Sequence, residues 1–403
     1  MKSAVFYGKH NMRVEESPMP KVGAEDVLIQ VKACGICGTD VHIYEGDKGA
    51  AEVTPPTILG HEFSGVVAEV GAAVTNVKVG DRVCIDPNCY CGKCDFCRNG
   101  IAHYCTDMIG YGTTVNGGFA EYCSVNQRQV YKLGDHTTFE QGAMTEPVAC
   151  CLHGMDMCNI HPGSSVVIIG GGMIGLLMLQ LARLAGAART ALLEPVASKR
   201  DVAKKLGADI YIDPLHDDVK AALASAGMTW VNTVIECVGR TSTIEQAIDI
   251  VGNKGTVMMF GLTKPDDAIS LKPFEVFQKE IELKASYINP YTQKRALELY
   301  YDLLTLKEPP MRILFLLAKQ YRQLLLAKQF AAAGLAQTEI ASKLGVPGFV
   351  VRNITTCARA YTISELEQAV KDFVDAEESV KTGRLEDKLS VELLIIKYSS
   401  KVK

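Results

Sequence analysis

Through the first 150 residues, apolar positions come in short β-rich runs broken by Gly, Pro and Asp: VLIQVKAC, EFSGVVAEV, DRVCIDP and FAEYCSV. With turn signals such as VKVGDRV between them, these runs predict a small, barrel-like all-β domain. From about residue 163 the period changes. SVVIIGGG is an apolar strand closed by a glycine turn, MIGLLMLQLARLAG an amphipathic helix, TALLEP a second strand, KRDVAKKLGA a helix and ADIYID a strand. WVNTVIECVG, STIEQAIDIV, GTVMMFGL and EIELKASY continue the alternation, so this α/β part predicts a doubly wound parallel sheet. From about residue 294 the pattern is almost purely helical. MRILFLLAKQYRQLLLAKQFAAAG carries apolar residues at helical spacing and stops at Gly334, and TEIASKLG stops at Gly345. SELEQAVKDFVDAEESVKTG and KLSVELLIIKYS complete an all-α segment. Three domains are expected, at 1–150, 151–293 and 294–403.

Composition narrows the chemistry. A net charge of -4 over 403 residues implies no polyanionic partner. The N-terminus, MKSAVFYGKHNMRVEE, has no apolar leader and reads as a first strand. No segment approaches the apolar length needed to span a bilayer, and ILFLLA at 313–318 is far too short. The expectation is a cytoplasmic protein whose thiols stay reduced. Of the 14 cysteines, 13 precede residue 240 and only Cys357 follows.

Cys91, Cys94, Cys97 and Cys105, in CGKCDFCRNGIAHYC, have the spacing of a structural zinc lobe. Thiolates two residues apart can turn back on one ion, and a fourth a short loop away closes a tetrahedron. A second, mixed set lies around it. CGICGTDVHIY holds Cys34, Cys37, Thr39 and His42; LGHEFSG holds His61 and Glu62; TEPVACCLHG holds Glu146. One thiolate, one imidazole and one or two carboxylates suit a catalytic zinc that keeps a position open for substrate. Such an ion stabilises an alkoxide near neutral pH, and Thr39 with His42 could lead the released proton toward solvent. His42 as an ordinary surface histidine is the competing reading.

SVVIIGGGMIG places Gly170, Gly172 and Gly175 in G-x-G-x-x-G spacing between a strand and a helix. These glycines allow a tight turn and close backbone approach to a pyrophosphate at the helix N-terminus. Glu194 ends the next strand about nineteen residues on, where a carboxylate accepts from ribose hydroxyls and repels a 2′-phosphate. The cofactor expected is NAD, with Lys199 and Arg200 close by in sequence.

GHE, the four-cysteine lobe and the glycine loop, in this order, resemble the zinc-containing medium-chain dehydrogenase family over about residues 1–293. That resemblance implies a GroES-like catalytic domain followed by a Rossmann domain, two zinc ions per chain, NAD, and a homodimer or homotetramer formed through the Rossmann domain. It makes Cys37, His61 and Glu62 catalytic-zinc ligands, Glu146 a direct or water-bridged fourth, and Ile174, Glu194 and Lys199 cofactor contacts. Glu146-Pro147 and CGTDVHIY are similar to the polyol and threonine dehydrogenase branch, implying a polyol, diol or threonine-like secondary alcohol as substrate. The strand and helix with which such enzymes close their catalytic domain are absent, so uncovered sheet edges are expected.

From about Arg295 the chain instead resembles the C-terminal helical domain of the delta subunit of the bacterial clamp loader, on RALELYYDLLTLKEPPMRILFLLAKQYRQLL, EIASKLGVPGFVV, AEESVKTGRL and LSVELLIIKYS. That domain is an oligomerisation collar, which implies clamp-loader subunits as partners for 294–403. A collar module without chemistry, or a chimera with neither function intact, is the alternative to the enzyme. QTEIASKLGVPGFVVRNI also mimics a helix-turn-helix. Residues 294–403 carry 17 Lys and Arg against 13 Asp and Glu, scattered, so no nucleic-acid binding is expected. The junction word KRALEL fits either parent family, as recombination would leave it.

Overall fold

The computed structural model describes residues 1–47, 52–305, 310–344 and 361–381, together with 351, 354–356, 358 and 359. The stop at Gly345, Cys357 and the helix expected from KLSVELLIIKYS lie outside the described residues. The chain divides into two compact units, Met1–Tyr300 and Tyr301–Lys403.

In the first unit, a five-stranded antiparallel sheet runs in the order Val130–Lys132, Arg82–Ile85, Phe63–Val70, Asp26–Cys34, Tyr122–Asn126. Val27, Ile29, Phe63, Val67, Val83, Ile85 and Val125 from its strands form one buried cluster. The N-terminal stretch differs from the single strand expected. Lys2–Gly8 and Asn11–Glu16 pair as a hairpin, because Gly8 (φ 131°) and His10 (φ 55°) turn the chain between them. Lys2–Gly8 also pairs with Thr57–Ile58, completing a three-stranded sheet. Among the described residues, no strand pairs with the far side of Tyr122–Asn126, and a cavity of about 670 Å³ opens beside it.

The α/β part is a six-stranded parallel sheet. Its order is Ile210–Ile212, Arg189–Leu193, Ser165–Ile169, Thr233–Glu236, Thr256–Met259, Glu282–Ala285. The central strand shows why its sequence is a continuous apolar run. Val166 and Ile168 pack on one face with Met178 and Leu179, while Val167 and Ile169 pack on the other with Leu223 and Ile244. Each such side chain contributes about 1.5–3 kcal/mol by leaving water. The strand order reverses between Ser165–Ile169 and Thr233–Glu236, which leaves a crevice at their carboxyl ends.

The helix Gln293–Thr305 begins inside this unit. Gln293 and Ala296 are fully buried, Ala296 lies in the cluster around Met178, and Arg295 grips Asp156 at 2.5 and 3.0 Å. Residues just past the expected boundary at 293 therefore still belong to the first core.

The second unit contains the helices Pro310–Ala332, Gln337–Leu344 and Ile363–Lys381. Ala327, Ile340 and Val351 form a small core, and Tyr321 leans on Phe373 with ring centroids 5.2 Å apart. Thr362 and Glu365 start the last of these helices as a capping box: Thr362 Oγ1 accepts the Glu365 N–H at 3.2 Å, and Glu365 Oε2 accepts the Thr362 N–H at 2.8 Å. No helix among the described residues is long and apolar enough to cross a membrane.

Candidate metal and dinucleotide site

Strand pairing assembles the mixed cluster. Cys34 stands opposite Phe63 in the register of Asp26–Cys34 with Phe63–Val70, so the segments just beyond, Gly35–Cys37 and His61–Glu62, meet. Gly35 donates its N–H to the Glu62 carbonyl at 2.7 Å, and a Cβ at Gly35 would lie 2.1 Å from Glu62 Oε2. Only glycine leaves that carboxylate room. Cys37 caps the helix Gly38–Tyr44, and Asp40 Oδ2 fixes it by accepting the Cys37 N–H at 2.9 Å. One ligand atom each from Cys37, His61 and Glu62 then lie within 4.8 Å of one another. Glu146, in the first turn of Thr145–Met157, stands outside that group of three but lines the same cavity of about 360 Å³. Cys150, one turn on, donates to Glu146 Oε1 at 3.3 Å.

The electrostatics call for a cation. Burial pushes the Glu146 carboxyl up to about 7 and raises Glu62 as well. Burial opposes a charged His61, yet Asp40 and Cys37 outweigh it and hold the imidazole well above its usual range. His61 Nδ1 lies 3.5 Å from Asp40 Oδ1, and neither atom has a hydrogen-bond partner although both are buried. A thiol, an imidazole and a buried carboxylate, with a further acid behind the ring, are the donor set and outer shell of a zinc site. The residues fit the ion. Thr39 and His42 line the same cavity, and His42 Nδ1 lies 3.4 Å from Asp47 Oδ2.

The thiol lobe is a separate cluster. The Sγ atoms of Cys91, Cys94, Cys97 and Cys105 lie within 4.8 Å of one another. Cys91 and Cys97 are 3.9 Å apart, far beyond a disulfide bond. Backbone N–H groups already point at sulfur: Lys93 and Cys94 donate to Cys91 Sγ at 3.4 Å each, and Cys91 to Cys105 Sγ at 3.3 Å. Backbone donors from Cys97 and Thr106 bring the Cys94 thiol down to about 6. Four sulfurs so disposed fit one tetrahedral ion.

The glycine loop has the shape its spacing predicts. Gly170 turns at φ 102°, and a Cβ at Gly175 would sit 1.8 Å from the Gly170 carbonyl oxygen. At Gly172, which caps Met173–Leu184, a Cβ would meet nothing within 4 Å, leaving the helix N-terminus open. Glu194 is buried, accepting from Gly171 N–H at 2.7 Å and Val196 N–H at 2.9 Å. Lys199 Nζ stands 3.9 Å from Glu194 Oε2. Ile174 lines the cavity that also holds Cys37, His61, Glu62 and Glu146, so loop and metal cluster share one space.

Sequence reading passed over Asp40, Cys150 and Asn289. Asp40 carried a signal, three residues after Cys37 as a helix-start carboxylate. The others carried none, since their partners are fixed by tertiary packing.

Residues 23–135 match the alcohol dehydrogenase GroES-like domain, and residues 174–302 the zinc-binding dehydrogenase family. Residues 285–398 match the DNA polymerase III delta subunit, C-terminal domain. A D-arabinitol dehydrogenase of Uromyces fabae is 35% identical over 73% of this chain and 84% of its own length. An L-threonine 3-dehydrogenase of Caldanaerobacter subterraneus subsp. tengcongensis is 34% identical over 73% and 84%. A zinc-binding dehydrogenase of Sinorhizobium meliloti 1021, solved bound to NADP, superposes with a TM-score of 0.71 at 39% identity over 74% of this chain and 87% of that one. With a metal cluster and a dinucleotide loop facing one cavity, and these relatives across the same residues, the Met1–Tyr300 unit makes this chain a member of the zinc-binding dehydrogenases, a zinc- and NAD(P)-dependent alcohol oxidoreductase.

Proposed function

We propose that the chain oxidises a secondary alcohol of the polyol, diol or hydroxy-amino acid type, with NAD as hydride acceptor. The convergence of Cys37, His61, Glu62 and Glu146 with Ile174 in one cavity carries this reading. Cys37, His61 and Glu62 would hold the catalytic zinc, with Glu146 directly or through water, and Cys91, Cys94, Cys97 and Cys105 a second, structural ion. When bound, the catalytic ion supplies a Lewis acid that makes an alcohol hydroxyl acidic near neutral pH. The chain's own groups do the rest. Thr39 and His42 carry the hydroxyl proton outward, with Asp47 orienting the imidazole. The glycine loop would hold the nicotinamide nucleotide, which when bound would supply the hydride acceptor for the alcohol carbon.

Support for NAD over NADP comes from Glu194, a buried carboxylate at the end of Arg189–Leu193 where a 2′-phosphate would be repelled. Arg200 is already engaged, donating to the Glu194 carbonyl at 2.5 Å and to Asp213 at 3.0 Å. The decisive experiment is absorbance at 340 nm from zinc-loaded, full-length protein offered threonine, sorbitol, xylitol and 2,3-butanediol with NAD or NADP. Turnover on none of them overturns the substrate class; faster turnover with NADP overturns the cofactor choice. Cys37→Ser should abolish turnover while NADH affinity stays within a few-fold. Surviving turnover would remove Cys37 from the metal site.

We read the first unit as a catalytic part at 1–150 and a nucleotide-binding part from 151 to 300, with the helical unit beginning at Tyr301 and not at the expected 294. Assembly through the nucleotide-binding domain as a dimer or tetramer is supported by the outer strand Glu282–Ala285 and by Phe274 and Phe277, 70% and 79% exposed beside it. The unpaired cysteines suit a cytoplasmic setting. The delta-type match over 285–398 favours a second role, a collar that binds clamp-loader subunits. Pull-down of purified clamp-loader subunits by the full chain tests it.

A further inference from the structure

We propose that Asn289 is a positioning residue that sets the wall of the alcohol cavity, by clasping the loop after the last parallel strand to the Asp86–Asn88 segment of the catalytic part. The inference rests on the dehydrogenase reading above. Ser286, Tyr287 and Ile288 follow Glu282–Ala285 and line the cavity, as do Pro87 and Asn88 from the catalytic part. The side chain that joins these walls is fully buried Asn289. Its Oδ1 accepts from Asn88 Nδ2 at 2.5 Å, and its Nδ2 donates to Asp86 Oδ1 at 3.2 Å and to Gln293 Oε1 at 3.3 Å. These first two contacts bridge 201 and 203 residues of sequence.

The partners of Asn289 are themselves tied down. Asp86 Oδ1 accepts the Asn88 N–H at 3.0 Å, and Gln129 Nε2 donates to the Asn88 carbonyl at 2.6 Å. Gln293 Nε2 donates to the Ile85 carbonyl at 2.9 Å. Thr292 Oγ1 donates to the Ala149 carbonyl at 2.7 Å, on the helix that carries Glu146. The carboxamide supplies both roles from one planar group, accepting from Asn88 through its oxygen and donating to Asp86 and Gln293 through its NH2; an ionised carboxylate cannot donate and an aliphatic chain does neither. Asn289 therefore ties the walls at 87–88 and 286–288 directly, and Thr292, three residues on, ties the same loop to the wall at 146–150, while the nucleotide loop at 170–175 takes no part. Small displacements of such walls weaken alcohol placement first, because misplaced reactants lose rate steeply.

The test is Asn289→Ala in the full-length, zinc-loaded chain. The expected result is an alcohol KM raised about tenfold or more, NADH affinity within about twofold, and unchanged zinc content. Amide exchange should speed up across 286–292 and 146–150 and stay slow in Ser165–Ile169 and Thr233–Glu236. Unchanged KM, or equal loss of protection throughout the parallel sheet, overturns the proposal. If Asn289→Ala does not fold, Asn88→Ala removes a single bond and should raise KM in the same direction, with exchange altered only in those segments; no change in either overturns it. Should the wild-type chain turn over none of the alcohols offered, the dehydrogenase substrate reading fails on its own, and the exchange pattern still decides whether the clasp holds the cavity walls.

Discussion

A methyl group added to the glycine loop has opposite fates three residues apart. Gly175→Ala drives its Cβ into the Gly170 carbonyl at 1.8 Å, so the loop must move, at a cost of about 1–3 kcal/mol or more. Gly172→Ala meets nothing within 4 Å and should melt like wild type, yet its methyl stands where the nucleotide's phosphates approach the helix. Calorimetric melting and NADH titration of the two variants should separate them: Gly175→Ala loses stability and binding, Gly172→Ala binding alone. Asp86 gives a pH prediction at the same scale. Burial raises its carboxyl from 3.8 to about 7. Between those values the folded chain keeps a proton that the unfolded chain has lost. Its contribution to stability therefore falls as pH rises through that window and is level above it. Asp86→Asn carries no such proton. The stability difference, variant minus wild type, should climb by roughly 3 kcal/mol between pH 4 and pH 7, since one proton held only by the folded chain changes stability by about 1.4 kcal/mol for each tenfold fall in proton concentration and is only partly differential at the two ends of the window. A pH-independent difference would contradict the burial of this charge.

At the scale of elements, the loop of residues 91–105 has little core of its own: Ala102 is its one fully buried apolar side chain beyond Cys89 and Tyr90 at its entry. Metal–thiolate bonds would then supply its folding energy. Cys97→Ser should lower the melting temperature and soluble yield before it lowers intrinsic turnover, and an unchanged melting curve would contradict the lobe. The elements differ in how far sequence showed them. Ser165–Ile169 and Met173–Leu184 were legible because alternation and helical period are local properties of five to twelve residues. The N-terminal hairpin looks like one strand in sequence because its turn, Gly8-Lys9-His10, offers only one glycine and no Asn-Gly or Asp-Gly pair. Candidate metal ligands were legible from residue type and spacing, whereas Asp40's place behind His61 depends on a helix cap and a strand register acting together.

At the scale of the molecule, the two compact units have their own buried clusters, around Ile168 in one and around Ala327 in the other. A ligand that binds one unit stabilises that unit by mass action, by about 2.7 kcal/mol at a hundredfold excess over Kd. NADH should therefore raise the calorimetric transition of the dehydrogenase unit and leave that of the helical unit in place; both moving together would mean that they unfold as one. Sequence by itself determined the chemistry available here: which residues can hold metal, where the phosphate-binding turn lies, and where one family's pattern gives way to another's. Those are properties of residue type and short-range period. Tertiary structure alone decided which of them meet. Cys37 reaches His61 and Glu62 through strand register, Glu146 joins their cavity from a helix, and Asn289 closes on residues some 200 positions earlier. It also decided that the first core runs past residue 293 and that, among the described residues, Tyr122–Asn126 stands at a sheet edge. Contacts between segments so far apart leave no period in the chain, because they are selected by packing and hydrogen-bond satisfaction once the elements have formed.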